Sequence, residues 1–436
     1  MNEFDRIIGY TAEKKELEQI CDILLHQDEY ERLGVKPPSG LLLHGKPGVG
    51  KTLMADILTK ASGLRTFICR KNEPNGDFIK VINATFAEAA ANAPAIVFLD
   101  DMDKFANEDS AHCNAEEYVT IQACIDEYKQ DGIFILATCN DIDDLPESLL
   151  RAGRFDRVME IKPPKGKDAE KIIDYYLLGK RKVTEINAGL ISRMLDGRSC
   201  AELETIINDA GIYAGFERAD EITMDHLMKA CLSRVYGVPS STFYEPFTPV
   251  NITDNYTAAA ANIIHEAGHA LVAEVLYPGC TTLVSALHKK DEESGFTMTT
   301  NYAQVDPRQW RIISSVIAMG GRAAIERYYG IPDEGSEKDI DDLCSLIDSQ
   351  LGETYVYGFS LHREGAYYDS DTLKVRLEQS KTNLLEQYAW KAREILALNS
   401  KLLEQIAKEL SVKGLLTTDD IKTITAKVGI VPVNIS

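Results

Sequence analysis

The sequence predicts an α/β domain built on a parallel sheet, then a small all-helical domain, then a mainly α-helical C-terminal domain. Three observations carry this. Between residues 40 and 164, short apolar runs alternate with stretches of helical period. Residues 165–236 keep the helical period but hold no strand-like run. A Gly/Pro/Ser-rich stretch, Tyr236-Gly237-Val238-Pro239-Ser240-Ser241, with Pro246 and Pro249 close behind, then interrupts the pattern. Such a stretch is where a domain boundary belongs. The expected division is 1–164, 165–238 and 239–436.

In order, the strand-like runs are Leu41–Leu43, Thr66–Cys69, Ala95–Leu99, Ile133–Ala137 and Val158–Ile161. Helical stretches such as Phe78–Ala91 and Glu117–Tyr128 separate them, which predicts a parallel sheet covered on both faces. The next region reads as about four short helices, Ala169–Leu178 and Ala201–Tyr213 among them. Beyond the boundary the pattern is helical, with one hairpin across Thr281–His288 and Gly295–Thr300.

The 436 residues correspond to two to four domains. Lys plus Arg is 47 and Asp plus Glu is 68, a net charge of −21. With a pI near 4.9, nothing supplies the counterion-release term of nucleic-acid binding, so no nucleic-acid partner is expected. The most apolar window, Ile312–Gly321, is about half of the 20 residues a spanning helix needs, so no intrinsic membrane span is expected. Met1-Asn2-Glu3-Phe4-Asp5-Arg6 is not a signal peptide. Nine cysteines with no Cys-x-x-Cys pair read as reduced thiols in the cytoplasm.

The first strand runs into Gly45-Lys46-Pro47-Gly48-Val49-Gly50-Lys51-Thr52, with a helix beginning near Lys51. This is G-x-x-x-x-G-K-[ST] in its required context: backbone N–H groups close on phosphates, Lys51 reaches the β/γ-phosphates and Thr52 ligates magnesium. The helix adds its positive N-terminal end. ATP and magnesium are the implied cofactors. Ala95–Leu99 ends in Asp100-Asp101, which suits a magnesium partner, Asp100, and a water-activating base, Asp101. The fourth strand-like run, Ile133–Ala137, leads to Asn140, suited to orient the attacking water. Arg154 and Arg157 are suited to a neighbouring subunit's γ-phosphate, because guanidinium stays charged and binds phosphate bidentately. Taken alone, such arginines are more often surface ion pairs.

Residues 265–269 read His265-Glu266-Ala267-Gly268-His269. Histidines at i and i+4 share a helix face, as metal ligation needs, and Glu266 can act as general base on a metal-bound water. The flanks Ala258–Ile264 and Ala270–Leu276 continue the helix. Gly268 costs about 1 kcal/mol there relative to alanine, so something is expected to pack closely against it. Zinc needs a third protein ligand. Spacing does not choose it; the acidic run Asp333, Glu334, Glu337, Asp339, Asp341, Asp342 offers carboxylates, and most of these suit helix capping or solvation.

These motifs, in this order, resemble the FtsH-type ATP-dependent zinc metalloproteases of the AAA class, over almost the whole chain. The resemblance begins at Ile8-Gly9-Tyr10 before the P-loop, which puts Ile8 and Gly9, with Leu53 after the P-loop, at the nucleotide. It runs through Leu149–Arg157, with Arg154 and Arg157 at the arginine-finger positions, and through Gly197–Leu203 at the start of the lid helix. It continues in Gly295-Phe296-Thr297-Met298, Gly320-Gly321-Arg322-Ala323-Ala324 and Gly335-Ser336-Glu337-Lys338-Asp339-Ile340. Asp339 falls where the family places its third zinc ligand, 339 − 269 = 70 residues after His269. The resemblance implies an AAA+ P-loop ATPase domain with a parallel sheet, a helical lid and a zinc peptidase domain. It also implies a homo-hexameric ring that pulls unfolded or tagged polypeptides towards its zinc sites.

Four departures stand beside it. The family's N-terminal membrane helices are missing, so the expectation is a soluble member, or a membrane-associated one from which an anchor has been removed. Asp101 stands where the family has Glu, one methylene longer, so slower hydrolysis is expected. The segment Cys69–Phe78, at the family's pore loop, is polar with a proline, and Phe78 is its only aromatic. Ile325 stands where the family usually has Glu. The leading reading is an ATP-dependent zinc endopeptidase. The alternatives are a remodelling ATPase with a structural peptidase ring, and a zinc peptidase poorly coupled to ATP. A nucleotide-gated scaffold would need both sites silent.

Overall fold

The computed structural model describes the chain apart from residues 1, 72–74, 106–114, 129–130, 152, 254–255, 289–293, 302–304, 332–335, 354–370 and 435–436. Ala152, Asp333, Glu334, Gly335 and residues 72–74 of the segment after the second strand therefore lie outside the described residues. In chain order the regular elements are α1 (Thr11–Leu25), α2 (Gln27–Arg32), β1 (Gly40–His44), α3 (Lys51–Ser62), β2 (Arg65–Cys69), α4 (Asn75–Ala90), β3 (Ala95–Leu99), α5 (Ala115–Glu127), β4 (Ile133–Cys139) and β5 (Arg157–Glu160). They continue with α6 (Gly166–Leu177), α7 (Ala188–Met194), α8 (Cys200–Phe216), α9 (Met224–Tyr236), α10 (Ala258–Leu276), β6 (Thr281–Ser285) and β7 (Phe296–Thr299). The last are α11 (Pro307–Ala318), α12 (Gly320–Tyr329), α13 (Glu337–Glu353), α14 (Asp371–Leu398), α15 (Ser400–Lys413), β8 (Leu415–Thr417) and α16 (Thr418–Val428). Two compact units result: residues 1–184 with 195–222, and residues 185–194 with 223–436.

The first unit holds a five-stranded, all-parallel sheet of order β2-β3-β4-β1-β5. Every residue of β3 and β4 is buried. Central parallel strands are covered on both faces, so they are continuous apolar runs and not alternating ones. The order makes β3, β4 and β1 neighbours, so their carboxyl ends form one edge. Open parallel sheets bind ligands at that edge. On one face α4 and α5 close a core that includes Phe78, Phe86, Phe105 and Ile121. Phe78 is fully buried, edge-to-face on Phe105 with ring centroids 5.1 Å apart. The aromatic nearest the polar segment after β2 is thus a core residue. Helix α8 starts from a capping box in which the Ser199 hydroxyl accepts from the Glu202 N–H and the Glu202 carboxylate accepts from the Ser199 N–H.

The second unit is centred on α10, buried along most of its length and packed chiefly against α12 and α15. The Thr257 hydroxyl caps it, accepting from the Ala260 N–H at 3.1 Å. The expected hairpin is present as antiparallel β6 and β7, and β8 joins the other edge of β6. That third strand has only three residues and pairs with β6 across more than a hundred residues of chain, so no local pattern announces it. Among the described residues, no helix is long and apolar enough to cross a membrane.

Candidate functional site

The nucleotide side chains stand at the carboxyl edge of the sheet. Gly45, Gly48 and Gly50 have φ of 140°, 79° and 103°. These are left-handed values that glycine adopts at no steric cost, so the loop wraps tightly after β1. Lys51 is buried, and its Nζ donates to the carbonyls of Gly45 (2.6 Å) and Lys46 (3.1 Å) and to Asn140 Oδ1 (3.0 Å). Burial lowers its pKa from the ordinary lysine value. Asp100, after β3, accepts from Thr52 Oγ1 at 3.3 Å and from Thr138 Oγ1 at 2.8 Å, with Arg70 Nε at 2.6 Å from its other oxygen. Thr52 and Asp100 therefore face one another, as two groups that share a magnesium ion must.

A cavity of about 510 Å³ adjoins the loop. It is lined by Ile8, Pro47–Met54, Asp101 and Asn140, and also by Ile172, Tyr175 and Tyr176 of α6 and by Cys200, Ala201 and Glu204 of α8. Gly9 is not part of the lining; with φ of 68° its Cα lies against the Asp168 backbone. Sequence reasoning missed Asp103. Its Oδ2 accepts from both the Asn140 N–H (3.2 Å) and Asn140 Nδ2 (2.9 Å), which turns Asn140 Oδ1 towards Lys51. Its spacing after Asp100-Asp101 was a usable signal.

Arg154 and Arg157 stand elsewhere. A Cβ on Gly40 would sit 2.6 Å from the Arg154 carbonyl oxygen, and Arg157 pairs with Leu41. Both are at the amino end of β1, roughly 13–16 Å along the strand from Gly45. Arg154 is held by Asp126, at 2.7 and 3.1 Å, and by the Ser148 carbonyl. Arg157 is exposed.

In the second unit α10 presents His265 and His269 one turn apart, and the first turn of α13 brings Asp339 to them. His265 Nε2 is 2.8 Å from Asp339 Oδ2 and 2.9 Å from His269 Nε2, and His269 Nε2 is 3.3 Å from the same carboxylate oxygen. Around tetrahedral zinc at about 2.0–2.1 Å, ligand atoms are about 3.3 Å apart. The three atoms thus form a compact face of such a site. His269 Nδ1 is 2.7 Å from the Ile317 carbonyl oxygen, which can only accept. Nδ1 therefore carries the proton and Nε2 turns its lone pair to the cluster, the second-sphere arrangement that metal-bound histidines use. Burial opposes charge on both groups, yet the Asp339 charge raises the pKa of His269, while His269 and His265 hold Asp339 well below the usual carboxylate range. Lone pairs and a carboxylate this close call for a cation between them, and the two-nitrogen, one-oxygen donor set fits zinc with a position left open.

Small residues let the histidines sit there. A Cβ on Gly268 would lie 2.4 Å from the Gly320 carbonyl oxygen and 2.5 Å from Ala324 Cβ, the close approach its place in the helix predicts. Glu266 is buried, and its Oε2 accepts from Thr297 Oγ1 at 2.7 Å.

A model of the ATPase family associated with various cellular activities (AAA) matches residues 41–163. Across the chain, the ATP-dependent zinc metalloprotease FtsH of Pelobacter propionicus is 28% identical over 445 residues, covering 93% of this chain and 68% of that protein. The protein of the same name from Mesoplasma florum is 28% identical, covering 97% and 67%. The ATP-dependent zinc metalloprotease FtsH 3 of Synechocystis sp. is 27% identical, covering 97% and 73%. The chain is FtsH-like over nearly its whole length, with an AAA ATPase domain at residues 41–163.

In this FtsH-like chain the departures acquire positions. Asp101 has a left-handed backbone, φ 54°, and its Oδ2 is 2.6 Å from Lys104 Nζ. Ile325 is fully buried in the second core, where a glutamate would need a partner.

Proposed function

We propose that the chain is an ATP-dependent zinc metalloendopeptidase that unfolds and degrades polypeptides as a homo-hexameric ring. Its parts are an ATPase core (1–164), a lid (165–238) and a peptidase (239–436). The observation that carries the reading is the convergence of His265, His269 and Asp339 beside Glu266, in a chain that also places Lys51, Thr52 and Asp100 around one phosphate loop.

His265, His269 and Asp339 would hold zinc. When bound, zinc polarises the scissile carbonyl and its attacking water. The Glu266 carboxylate accepts a proton from that water and passes it to the leaving amide nitrogen. In the first unit Lys51 Nζ exchanges its carbonyl partners for β/γ-phosphate oxygens, and Thr52 and Asp100 would hold magnesium. Asp101 accepts the proton of the hydrolytic water, which Asn140 orients. Arg154 and Arg157, roughly 13–16 Å from their own phosphate loop, serve the nucleotide of the adjacent subunit. The free thiols of the eight described cysteines support the cytoplasm as the place of action.

A second reading, a zinc peptidase loosely coupled to ATP, draws on Phe78. With that ring in the core, the stretch from Cys69 to Asp77 carries no aromatic to grip a substrate. The deciding measurement is degradation of an unfolded protein with and without ATP, in wild type, Glu266→Gln and Lys51→Ala. The proposal expects one zinc per chain, no cleavage in Glu266→Gln or with chelator, and ATP-dependent cleavage lost in Lys51→Ala. Cleavage by Lys51→Ala at the wild-type rate selects the uncoupled peptidase. ATP hydrolysis by protein that takes up no zinc selects a remodelling ATPase.

A further inference from the structure

A general base works only if its carboxylate is held at the right place and angle, and Glu266 is held by a strand. Gly295 begins the contact: its N–H donates to Asn262 Oδ1 at 2.7 Å, one helical turn before Glu266. A Cβ on Gly295 would lie 3.1 Å from Glu266 Cγ and 2.2 Å from the Ser285 carbonyl oxygen, so the strand can approach only without a side chain there. Two residues on, Thr297 Oγ1 is 2.7 Å from Glu266 Oε2 and 3.1 Å from the Glu266 carbonyl oxygen. Among the described residues, Glu266 Oε1 has no hydrogen-bond partner. One carboxylate oxygen is anchored and the other is left to take a proton.

The strand is itself fixed from its other face. Alternate residues of a strand point to opposite sides, so Phe296 and Met298 face away from Glu266. The Tyr236 ring stacks on Phe296 at 4.7 Å with an interplanar angle of 8°, its hydroxyl donates to the Met194 carbonyl at 3.0 Å, and it also meets Met298 Sδ. β7 is therefore clamped between α9, which belongs to the same compact unit, and the base.

We propose that Thr297 is the positioning residue for Glu266: its hydroxyl fixes the carboxylate that receives the proton, and β7, gripped by Tyr236, fixes the hydroxyl. The proposal rests on the reading of Glu266 as the base. Valine is isosteric with threonine and suits a strand, so Thr297→Val removes the hydrogen bond and keeps the fold. Cleavage of a short quenched-fluorescent peptide by the full chain, with zinc, ATP and magnesium, is compared in wild type, Thr297→Val, Thr297→Ser and Glu266→Gln. Thr297→Val is expected to lower kcat about 10–100-fold at unchanged KM, while still binding one zinc per chain and melting at the wild-type temperature. Its affinity for a peptide hydroxamate, whose hydroxyl donates to the base, falls with kcat. Thr297→Ser, which keeps the hydroxyl, retains most of the rate. Wild-type kcat in Thr297→Val, or an equal loss in Thr297→Ser, overturns the proposal while Glu266→Gln stays inactive. Activity in Glu266→Gln overturns the assignment of the base instead.

Discussion

Substituting Gly321 by alanine separates metal binding from folding, and the structure fixes the sign of each effect. A Cβ at Gly321 would stand 2.5 Å from His265 Cε1 and Nε2 and 2.6 Å from Cδ2. Carbon contacts settle at about 3.5 Å, so the imidazole must retreat by about 1 Å. Metal–ligand distances tolerate about 0.2 Å. A retreat of 1 Å takes Nε2 out of the set it forms with Asp339 Oδ2 and His269 Nε2, at 2.8 and 2.9 Å. Loss of positioning at a metal ligand lowers affinity about 10–100-fold, and that is the expected change in zinc affinity. The metal-free fold should not suffer equally, because Gly321 lies inside α12 and alanine is worth about 1 kcal/mol there in helix propensity. Gly268→Ala is the contrasting case. Its methyl meets backbone, the Gly320 carbonyl oxygen at 2.4 Å, as well as Ala324 Cβ at 2.5 Å. Neither can rotate away, so α10 and α12 must separate, at about 1–3 kcal/mol for overpacking. The assays are zinc per chain after dialysis against graded chelator, and thermal melting of metal-free protein. Wild-type zinc affinity in Gly321→Ala, or a melting temperature in Gly268→Ala at or above wild type, would refute the packing argument.

Three further outcomes follow from the same geometry. Arg154→Ala should abolish ATP turnover and leave binding of a fluorescent ATP analogue intact, since Arg154 lies at the far end of β1 from the phosphate loop; unchanged turnover removes the trans role. Phe78→Ala should destabilise the chain by about 3–5 kcal/mol, read from denaturant midpoints, because the ring is fully buried against Phe105; a near-neutral effect would return Phe78 to a surface role. Asp420→Ala should lower stability by about 0.5–2 kcal/mol at pH 7 by opening the capping box of α16. Burial works against the charge of Asp420, but the Thr417 N–H and Lys413 depress its pKa below the ordinary value. Its contribution is therefore complete above about pH 4 and is lost as pH falls through the depressed pKa, so the gap between wild type and variant in urea midpoints should narrow only in acid.

What was legible in the sequence is what chemistry compresses into a few residues. The phosphate loop must follow a strand and open a helix, and it does so at His44 and Lys51. Paired histidines must be one turn apart, so His265 and His269 announced both a helix and a ligand pair. The buried central strands β1, β3 and β4 write themselves as apolar runs, and the more exposed edge strands β2 and β5 lie close to shorter ones. Distance along the chain hid the rest. Asp339 is brought to the histidines by the start of α13; the family resemblance named it, but no spacing rule connects residues 70 apart. Thr297 reads as an ordinary strand threonine until β7 is laid beside α10. Tyr176 and Glu204 read as helix-surface residues until α6 and α8 close over the cavity. Gly268 is the intermediate case: its cost in a helix was visible, whereas the carbonyl of Gly320 that explains it was not.

The two candidate sites differ in completeness, and the difference bears on assembly. His265, His269, Asp339, Glu266 and Thr297 all belong to one compact unit of one chain. The phosphate site has Lys51, Thr52, Asp100 and Asn140 from its own chain, but its nearest finger arginines are across the length of β1. Arg70, the other cation close to Asp100, is already bound to it at 2.6 Å. Under the proposed function, a single chain would carry a full peptide-cleaving set and an ATP-hydrolysing set short of an arginine. Under the trans reading of Arg154 and Arg157, dilution below the assembly concentration silences ATP turnover first. Cleavage of a short peptide, which needs no unfolding, persists. Two of the altered positions tilt the same way, since Asp101 and the non-aromatic stretch after β2 belong to the ATP-driven part, whereas Ile325 lies in the core of the second unit.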